Sequence, residues 1–149
     1  MRGSEEVDLR KNSPRSDLLR EILKETRRIA IVGLSPNEER DSNRVARYLM
    51  ERGYEIIPVN PGQKEILGQK CYRSLKEIPF KVDMVNLFLN PTRIPPVVDL
   101  AIEIGTKTVW MQLGLIHDES AIKARGAGVR VVMDKCIMIE LEKQIPRSS

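Results

Sequence analysis

Residues 28–33, Arg-Ile-Ala-Ile-Val-Gly, decide the fold of this chain. This short apolar run ends in glycine, which predicts a strand buried on both faces, and such strands occur in parallel sheets that helices cover. After a polar loop, Ser42 is expected to cap a helix that ends at Gly53. Residues 54–59 then form a second apolar run. Together these segments predict a strand-helix-strand unit.

The same alternation of strands and helices continues along the chain. Further strands are predicted at residues 82–89, 108–111 and 129–133, and further helices begin near residues 74, 94, 118 and 137. An amphipathic helix is predicted before the first strand, with Ser13 or Ser16 as its cap. Right-handed crossovers should place helices on both faces. We therefore predict an α/β fold: a Rossmann-like, doubly wound parallel sheet of five strands in the order 3-2-1-4-5.

The length of 149 residues suits one domain of ordinary size. We expect a flexible arm over residues 1–12, a single domain over residues 13–145 and a tail over residues 146–149. No run approaches the ~20 apolar residues of a membrane span, and the N-terminus lacks the apolar segment of a secretory signal. Cys71 and Cys136 form no CxxC pair, which fits a reducing compartment. We therefore expect a cytoplasmic protein that does not associate with membranes.

The basic charge of the chain lies at its ends. The 25 Lys and Arg residues exceed the 21 Asp and Glu residues, which gives a net charge of +4. Residues 29–142, however, hold 15 basic and 15 acidic side chains, and the aromatic residues do not alternate with basic ones. No nucleic-acid partner is therefore expected.

The strand ends predict where a ligand would bind. In an open α/β sheet this is the crevice at the carboxyl ends of the strands where the strand order reverses, here between the first and fourth strands. The loops at that edge are residues 33–41, 60–64, 90–93, 112–117 and 134–136. The first of them leads into a helix start, whose free N–H groups and positive dipole end suit a phosphate.

The first loop does not fit the usual dinucleotide fingerprint. Gly33 is present, but Ser35 stands where a second glycine is expected, and the second strand ends in Asn60-Pro61 without a carboxylate for a ribose 2′-hydroxyl. A more anionic ligand, an ADP with an extra phosphate, fits better, with Lys64 close by. Arg40, Arg44 and Arg93 are candidate phosphate partners. Glu38 and Glu39 should point away, because carboxylates repel phosphate.

Several motifs resemble, in order, the small stand-alone CoA-binding proteins, whose fold is similar to the N-terminal domain of the succinyl-CoA synthetase alpha subunit. They are Gly-Leu-Ser-Pro at residues 33–36, Arg-Asp-Ser at 40–42, Pro-Val-Asn-Pro at 58–61, Leu-Gly at 67–68, Cys-Tyr at 71–72, Trp-Met-Gln-Leu-Gly at 110–114 and Met-Asp-Lys-Cys at 133–136. The resemblance covers about residues 28–142.

This resemblance implies a set of residues around coenzyme A or an acyl-CoA. Gly33, Ser35, Pro36 and Ser42 would line the phosphate loop, Asn60, Pro61 and Lys64 would border the adenosine, and Gln112, Leu113 and Gly114 would follow the pantetheine. The candidate binding residues also include Leu34, Arg40, Phe88, Asn90 and Cys136. Cys136 is expected at a helix start, either as a small buried residue or as a thiol that reacts with CoA disulfide.

We expect noncovalent binding of CoA or acyl-CoA without catalysis. His117 is the only histidine, is expected at the surface and has no partners for a metal site, and no set of nucleophile, base and orienting residue is present. Two alternatives stay open: an NAD(P)-dependent oxidoreductase or redox regulator, and a protein-interaction module with a vestigial site. A homo-oligomer also stays open. Gly33→Val is expected to abolish CoA binding and to leave the fold largely intact.

Overall fold

The computed structural model describes residues 7–8 and 13–147. Val7–Asp8 pairs with Ser13–Pro14 as a short antiparallel ladder, although the sequence predicted a flexible arm there. The rest of that predicted arm, residues 1–6 and 9–12, lies outside the described residues, as do residues 148–149 of the predicted tail. Within the described part, no helix combines the length and the apolar character that crossing a bilayer requires.

Within the described residues, a parallel sheet of five strands forms the centre of the fold. The strands are β1 (Arg28–Val32), β2 (Glu55–Val59), β3 (Met84–Leu87), β4 (Thr108–Met111) and β5 (Arg130–Val132). Each neighbouring pair is parallel. The helices are α1 (Ser16–Glu25), α2 (Asp41–Glu51), α3 (Ile94–Glu103), α4 (Asp118–Gly126) and α5 (Ile137–Gln144). The predicted Rossmann-like α/β class is confirmed.

Alternate residues of β1 divide the core between the two faces of the sheet. Ile29 and Ile31 pack with α1, α2 and α5, whereas Ala30 and Val32 pack with α3 and α4. This is why the run at residues 28–33 is continuously apolar: a strand covered on both sides has no face for water. Trp110 of β4 lies in the first of these clusters, fully buried, and its indole Nε1 donates to the carbonyl oxygen of Lys135 at 2.8 Å.

The strand order is β2-β1-β3-β4-β5. The predicted order 3-2-1-4-5 matches only if a single parallel bridge between Val59 and Tyr72 is counted as the third strand. The run at residues 82–89, which the sequence predicted as the third strand, instead contains β3 and pairs with β1. The bridge does not extend because Ser74, two residues beyond Tyr72, begins the short helix Leu75–Glu77. The order therefore reverses between β1 and β3, and not between β1 and β4.

Three helix starts differ from the predicted caps. α1 follows Arg15, and α2 follows Arg40; neither residue provides a side-chain cap, so Ser13, Ser16 and Ser42 do not have the predicted role. α4 is capped by His117, whose Nδ1 accepts from Ser120 N at 3.2 Å, and not by Asp118. His117 thereby has a structural task at the start of α4.

Candidate functional site

An open cleft of about 960 Å³ lies at the carboxyl ends of β1, β3, β4 and β5. Its volume is near the upper end of the roughly 300–1,000 Å³ that small-molecule sites occupy, so it suits a large ligand. Gly33 follows β1, Phe88 follows β3 and Gln112 follows β4, and each of them lines the cleft. The site therefore lies where a doubly wound sheet binds ligands, at the reversal of strand order.

Gly33 is required by the close approach of two loops. Its φ is +90°, a conformation that favours glycine, and a Cβ placed on it would lie 2.0 Å from the carbonyl oxygen of Phe88. Any side chain here must displace the backbone after β3. The expectation that Gly33→Val leaves the fold largely intact is therefore wrong: the glycine serves the packing of the cleft wall.

The loop after Gly33 is folded against the first turn of α2. Ser42 Oγ accepts from the backbone N of Ser35 at 2.9 Å, and Asn43 Nδ2 donates to the Ser35 carbonyl at 2.9 Å. Ser35 Oγ in turn accepts from Asn37 N at 3.0 Å. Since Arg40 provides no side-chain cap, the first N–H groups of α2 have no side-chain acceptor from that position. The loop thus presents an uncapped helix start to the cleft.

The charged residues at this end of the cleft balance each other. Arg40, Arg44, Glu39 and Asp41 all line it, including Glu39, which was expected to point away. Arg44 lies 3.5 Å from Asp41 Oδ1 and donates to the Glu39 carbonyl at 3.1 Å, so its guanidinium holds the loop. Arg40 is exposed at the cleft. The attraction for an anion here comes from the start of α2 and from Arg40, because the formal charges of the four side chains cancel.

Gln112 is oriented by two hydrogen bonds. It is only 5% exposed, and its Oε1 accepts from Asn86 Nδ2 of β3 and from Ile137 N at the start of α5, both at 3.2 Å. A backbone N–H can only donate, so the amide oxygen must face Ile137. Among the described residues no acceptor pairs with the amide nitrogen of Gln112, which leaves that donor to the cleft that Gln112 lines.

The two cysteines have different environments. Cys136 is half-buried, lines the cleft and immediately precedes α5, so the prediction that it lies at a helix start is confirmed. Cys71 is buried away from the cleft, and its Sγ donates to the Asn60 carbonyl at 3.4 Å. Burial raises the pKa of the Cys71 thiol, and that hydrogen bond offsets part of the shift.

Eight of the residues predicted for binding line the cleft. They are Gly33, Ser35, Arg40, Ser42, Phe88, Gln112, Leu113 and Cys136. The others do not line it: Leu34, Pro36, Asn60, Pro61, Lys64, Asn90 and Gly114. β2 lies beside β1 on the side away from β3, so the loop at residues 60–64 adjoins the β1 end of the cleft without lining it.

Several of the residues outside the cleft have structural tasks. Leu34 is fully buried in the core. The side chain of Asn60 donates to the Leu34 carbonyl at 2.9 Å and accepts from Gly62 N at 2.8 Å, so both ends of its amide are engaged. Asn90 accepts from Thr92 N at 3.1 Å and starts the short helix Pro91–Arg93.

Sequence reasoning missed six residues of the cleft: Asp41, Val45, Leu89, Leu115, Met138 and Ile139. Met138 and Ile139 belong to α5, whose buried side is formed by Ile137, Glu140 and Leu141. Ile139 is 50% exposed, so an apolar residue beside the buried stripe of a helix was a usable signal, whereas Met138 also packs against the core. Among the described residues, no group of histidine, cysteine or carboxylate side chains is arranged to hold a metal ion.

The chain is similar to several known proteins. Residues 27–142 match the family model of the CoA binding domain. The chain is 39% identical over 127 residues to the uncharacterized protein YneT of Bacillus subtilis, a match that covers 85% of this chain and 94% of that protein. A hypothetical protein from Pyrococcus horikoshii OT3 of known structure is 43% identical with a TM-score of 0.85, covering 88% of this chain and 92% of that one.

A larger relative is an enzyme. The chain is 28% identical over 125 residues to the ADP-forming acetate–CoA ligase I of Archaeoglobus fulgidus, which covers 76% of this chain. The match spans only 18% of the ligase. The family model covers residues 27–142, which is most of this chain. This protein is therefore a member of the CoA binding domain family.

Proposed function

We propose that the protein binds coenzyme A or an acyl-CoA noncovalently in the cleft at the carboxyl ends of β1, β3, β4 and β5. The observation that carries this proposal is the uncapped start of α2 beside Gly33, at the strand reversal of a chain in the CoA binding domain family. A helix N-terminus favours an anion by roughly 0.3–1 kcal/mol at exposed positions, and its N–H groups are ready donors to phosphate oxygens.

The end of β2 favours CoA over NAD. Proteins that bind NAD place an acidic side chain there to hold the ribose 2′-hydroxyl. Here Val59 is followed by Asn60, whose amide is engaged by Leu34 and Gly62. A ligand whose ribose carries a phosphate does not need that carboxylate. The ADP-forming acetate–CoA ligases among the relatives point to the same class of ligand.

We propose a binding role without catalysis. His117, the only histidine of the chain, caps α4 through Nδ1. The titratable side chains of the cleft are Cys136, two arginines and two carboxylates, and the contacts of Arg44 with Asp41 and Glu39 tie part of this set into the loop. This is a poor basis for a nucleophile with its base and orienting group. Two free thiols also favour a reducing compartment, and we propose the cytoplasm.

Titration calorimetry tests the ligand class. CoA, acetyl-CoA, NAD and NADP are titrated into the protein at a fixed ionic strength near 0.1 M, because a phosphate site is salt-sensitive. Binding of the CoA species, without comparable binding of NAD or NADP, is expected. Arg40→Ala should weaken CoA binding about threefold to tenfold. The matched control is Arg93→Ala, which removes an exposed arginine that does not line the cleft and should change nothing. Binding of NADP without binding of CoA contradicts the proposal.

A further inference from the structure

The lining of the cleft differs between its two ends. The end formed by the β1 loop and α2 carries Ser35, Arg40 and Ser42. The end formed by the β4 loop and α5 carries Leu113, Leu115, Met138 and Ile139, which we call the apolar end. β3 and β4 separate β1 from β5, so at ~4.8 Å per strand the two ends lie roughly 10–14 Å apart. A ligand that fills the cleft must be anionic at one end and apolar at the other.

We propose that this ligand is a CoA thioester whose aliphatic acyl group lies against the apolar end. The inference rests on the proposed function and adds the class of ligand to it: acyl-CoA in preference to free CoA. The pantetheine arm, an extended chain, would then cross from the helix start at α2 to the β4 loop. No covalent step at the protein is involved.

Exposure of the apolar end is the first support for an acyl group. Leu113 is 68% exposed and Ile139 is 50% exposed, and neither belongs to the hydrophobic clusters formed by the described residues. Single exposed aliphatic residues are common, but these two line the same cleft as Leu115 and Met138. Since the core does not use Leu113 and Ile139, an apolar part of a ligand is the partner that would remove these two side chains from water.

The loop that carries the leucines is held in a fixed shape. Asp134 Oδ1 accepts from Gly114 N at 2.7 Å, Asp134 N donates to the Leu115 carbonyl at 3.1 Å, and Leu115 N donates to the Gln112 carbonyl at 2.8 Å. Asp134 adopts a φ of 58°, a conformation that costs free energy for a residue other than glycine. Leu113 and Leu115 therefore flank a hydrogen-bonded residue of a turn, which orients their side chains before a ligand arrives.

Gln112 supplies a donor at the start of the same turn. Its oxygen is engaged by Asn86 and Ile137, so only its amide nitrogen is left to the cleft. That N–H group requires an acceptor. A thioester provides a carbonyl oxygen beside the acyl chain, whereas the thiol of free CoA is a weak acceptor. The amide carbonyls of pantetheine are acceptors in every CoA species, so this donor suits CoA in general, and the apolar side chains next to it are what favours the acylated form.

The test is the dependence of affinity on acyl-chain length. CoA, acetyl-CoA, butyryl-CoA and hexanoyl-CoA are titrated into the full chain by calorimetry. Complete burial of a methylene strengthens binding about fourfold, so an open cleft should give at least tenfold between acetyl-CoA and hexanoyl-CoA. Ile139→Ser should weaken hexanoyl-CoA at least fivefold more than CoA. The control Ile122→Ser changes a 70% exposed isoleucine of α4 outside the cleft and should leave all four affinities unchanged.

The outcomes separate the two proposals. Equal affinities for CoA and its thioesters overturn this inference and leave CoA binding intact. If no CoA species binds, both proposals fail. A third outcome is a dimer in sedimentation that Ile139→Ser dissociates, together with affinities that do not depend on the length of the acyl chain. The apolar end would then be an interface with a second copy of the protein, and the inference is overturned. Thermal melts check that each variant is folded. We expect both to fold, because the substituted side chains are exposed.

Discussion

At the residue scale, Gly33 shows that the wall of the cleft requires a glycine for its own packing. Its backbone N–H donates to the carbonyl oxygen of Val59 at 2.9 Å. A side chain added at this position would meet the backbone of Phe88. The glycine therefore lets the loops after β1 and β3 approach each other. The same residue was predictable from the run at residues 28–33, but its contact with Phe88 was not, because that contact depends on which strand lies beside β1.

Gly33→Ala is expected to destabilise the protein by about 2–5 kcal/mol. The positive φ costs about 1–2 kcal/mol for a residue with a Cβ, and displacing Phe88 adds about 1–3 kcal/mol. Urea unfolding measures the change. The control is Gly126→Ala at the end of α4, where a Cβ meets nothing within 4 Å and no loss of stability is expected. Equal stability of the Gly33→Ala variant and the unsubstituted protein contradicts this account of the cleft wall.

At the element scale, α5 connects the cleft with the opposite end of the molecule. Its first N–H donates to Gln112 in the cleft, and its last turn is tied to α2. There Glu142 accepts from the Tyr48 hydroxyl and lies 3.0 Å from Arg52, whose guanidinium also donates to the Ile145 carbonyl at 2.6 Å. These contacts fix the axis of the helix whose start carries Met138 and Ile139.

The contacts of Glu142 predict a dependence of stability on pH. The hydrogen bond from Tyr48 lowers the pKa of the Glu142 carboxyl, Arg147 and Arg52 lower it further, and burial acts in the opposite direction. A carboxyl with a lowered pKa in the folded state stabilises the protein above the ordinary value of 4.5. That contribution is lost as the pH falls through the lowered value, because the folded state then binds the proton as well.

Glu142→Gln should therefore reduce the free energy of unfolding at pH 7, and the difference from the unsubstituted protein should shrink as the pH is lowered below about 4.5. Urea midpoints between pH 3 and pH 7 measure this. Glu65→Gln, a change at an exposed residue of the short hairpin strand Glu65–Ile66, is the control and should leave the urea midpoint at pH 7 nearly unchanged. A difference for Glu142→Gln that is independent of pH contradicts the assignment.

At the scale of the whole molecule, the sequence predicted the type of fold better than it predicted which strands lie next to each other in the sheet. Continuous apolar runs such as β1 identify buried parallel strands, since helices on both faces leave no polar side. The bridge at Tyr72 is a single residue and leaves no hydropathy pattern, so the third strand was numbered without it. The strand order also bears on the site: Asn60 and Lys64 follow β2, which lies beside β1, so they adjoin the cleft without lining it, and their predicted role at the adenosine stays a prediction.

Some residues of the cleft could be predicted from the sequence and others could not. Gly33, Ser35 and Gln112 were accessible because glycine, short polar residues and amides after a buried strand are typical of ligand loops. Met138 and Ile139 were missed because aliphatic residues in a helix usually indicate core. Only the packing of Ile137 and Leu141 against the sheet shows that Ile139 is left half-exposed, whereas Met138 both packs against the core and lines the cleft.

Ligand binding should raise the thermal stability of the whole domain. At a CoA concentration 100 times its dissociation constant, binding to the folded state alone adds about 2.7 kcal/mol. For a chain of this length that corresponds to a rise in Tm of roughly 5–10 °C. Differential scanning calorimetry with CoA and with NAD measures it, and NAD should give no rise. A rise that is equally large for NAD contradicts the preference for CoA.

Trp110 gives this molecule a built-in optical reporter. It is the only tryptophan of the chain, it is fully buried, and its indole N–H is bonded to the Lys135 carbonyl, one residue before Cys136 in the cleft. Its fluorescence emission therefore comes from one site that is dry in the folded state and shifts to longer wavelengths on unfolding. Because Lys135 belongs to the loop after β5, a ligand that moves this loop changes the same signal, so folding and occupancy of the cleft can be followed without a label.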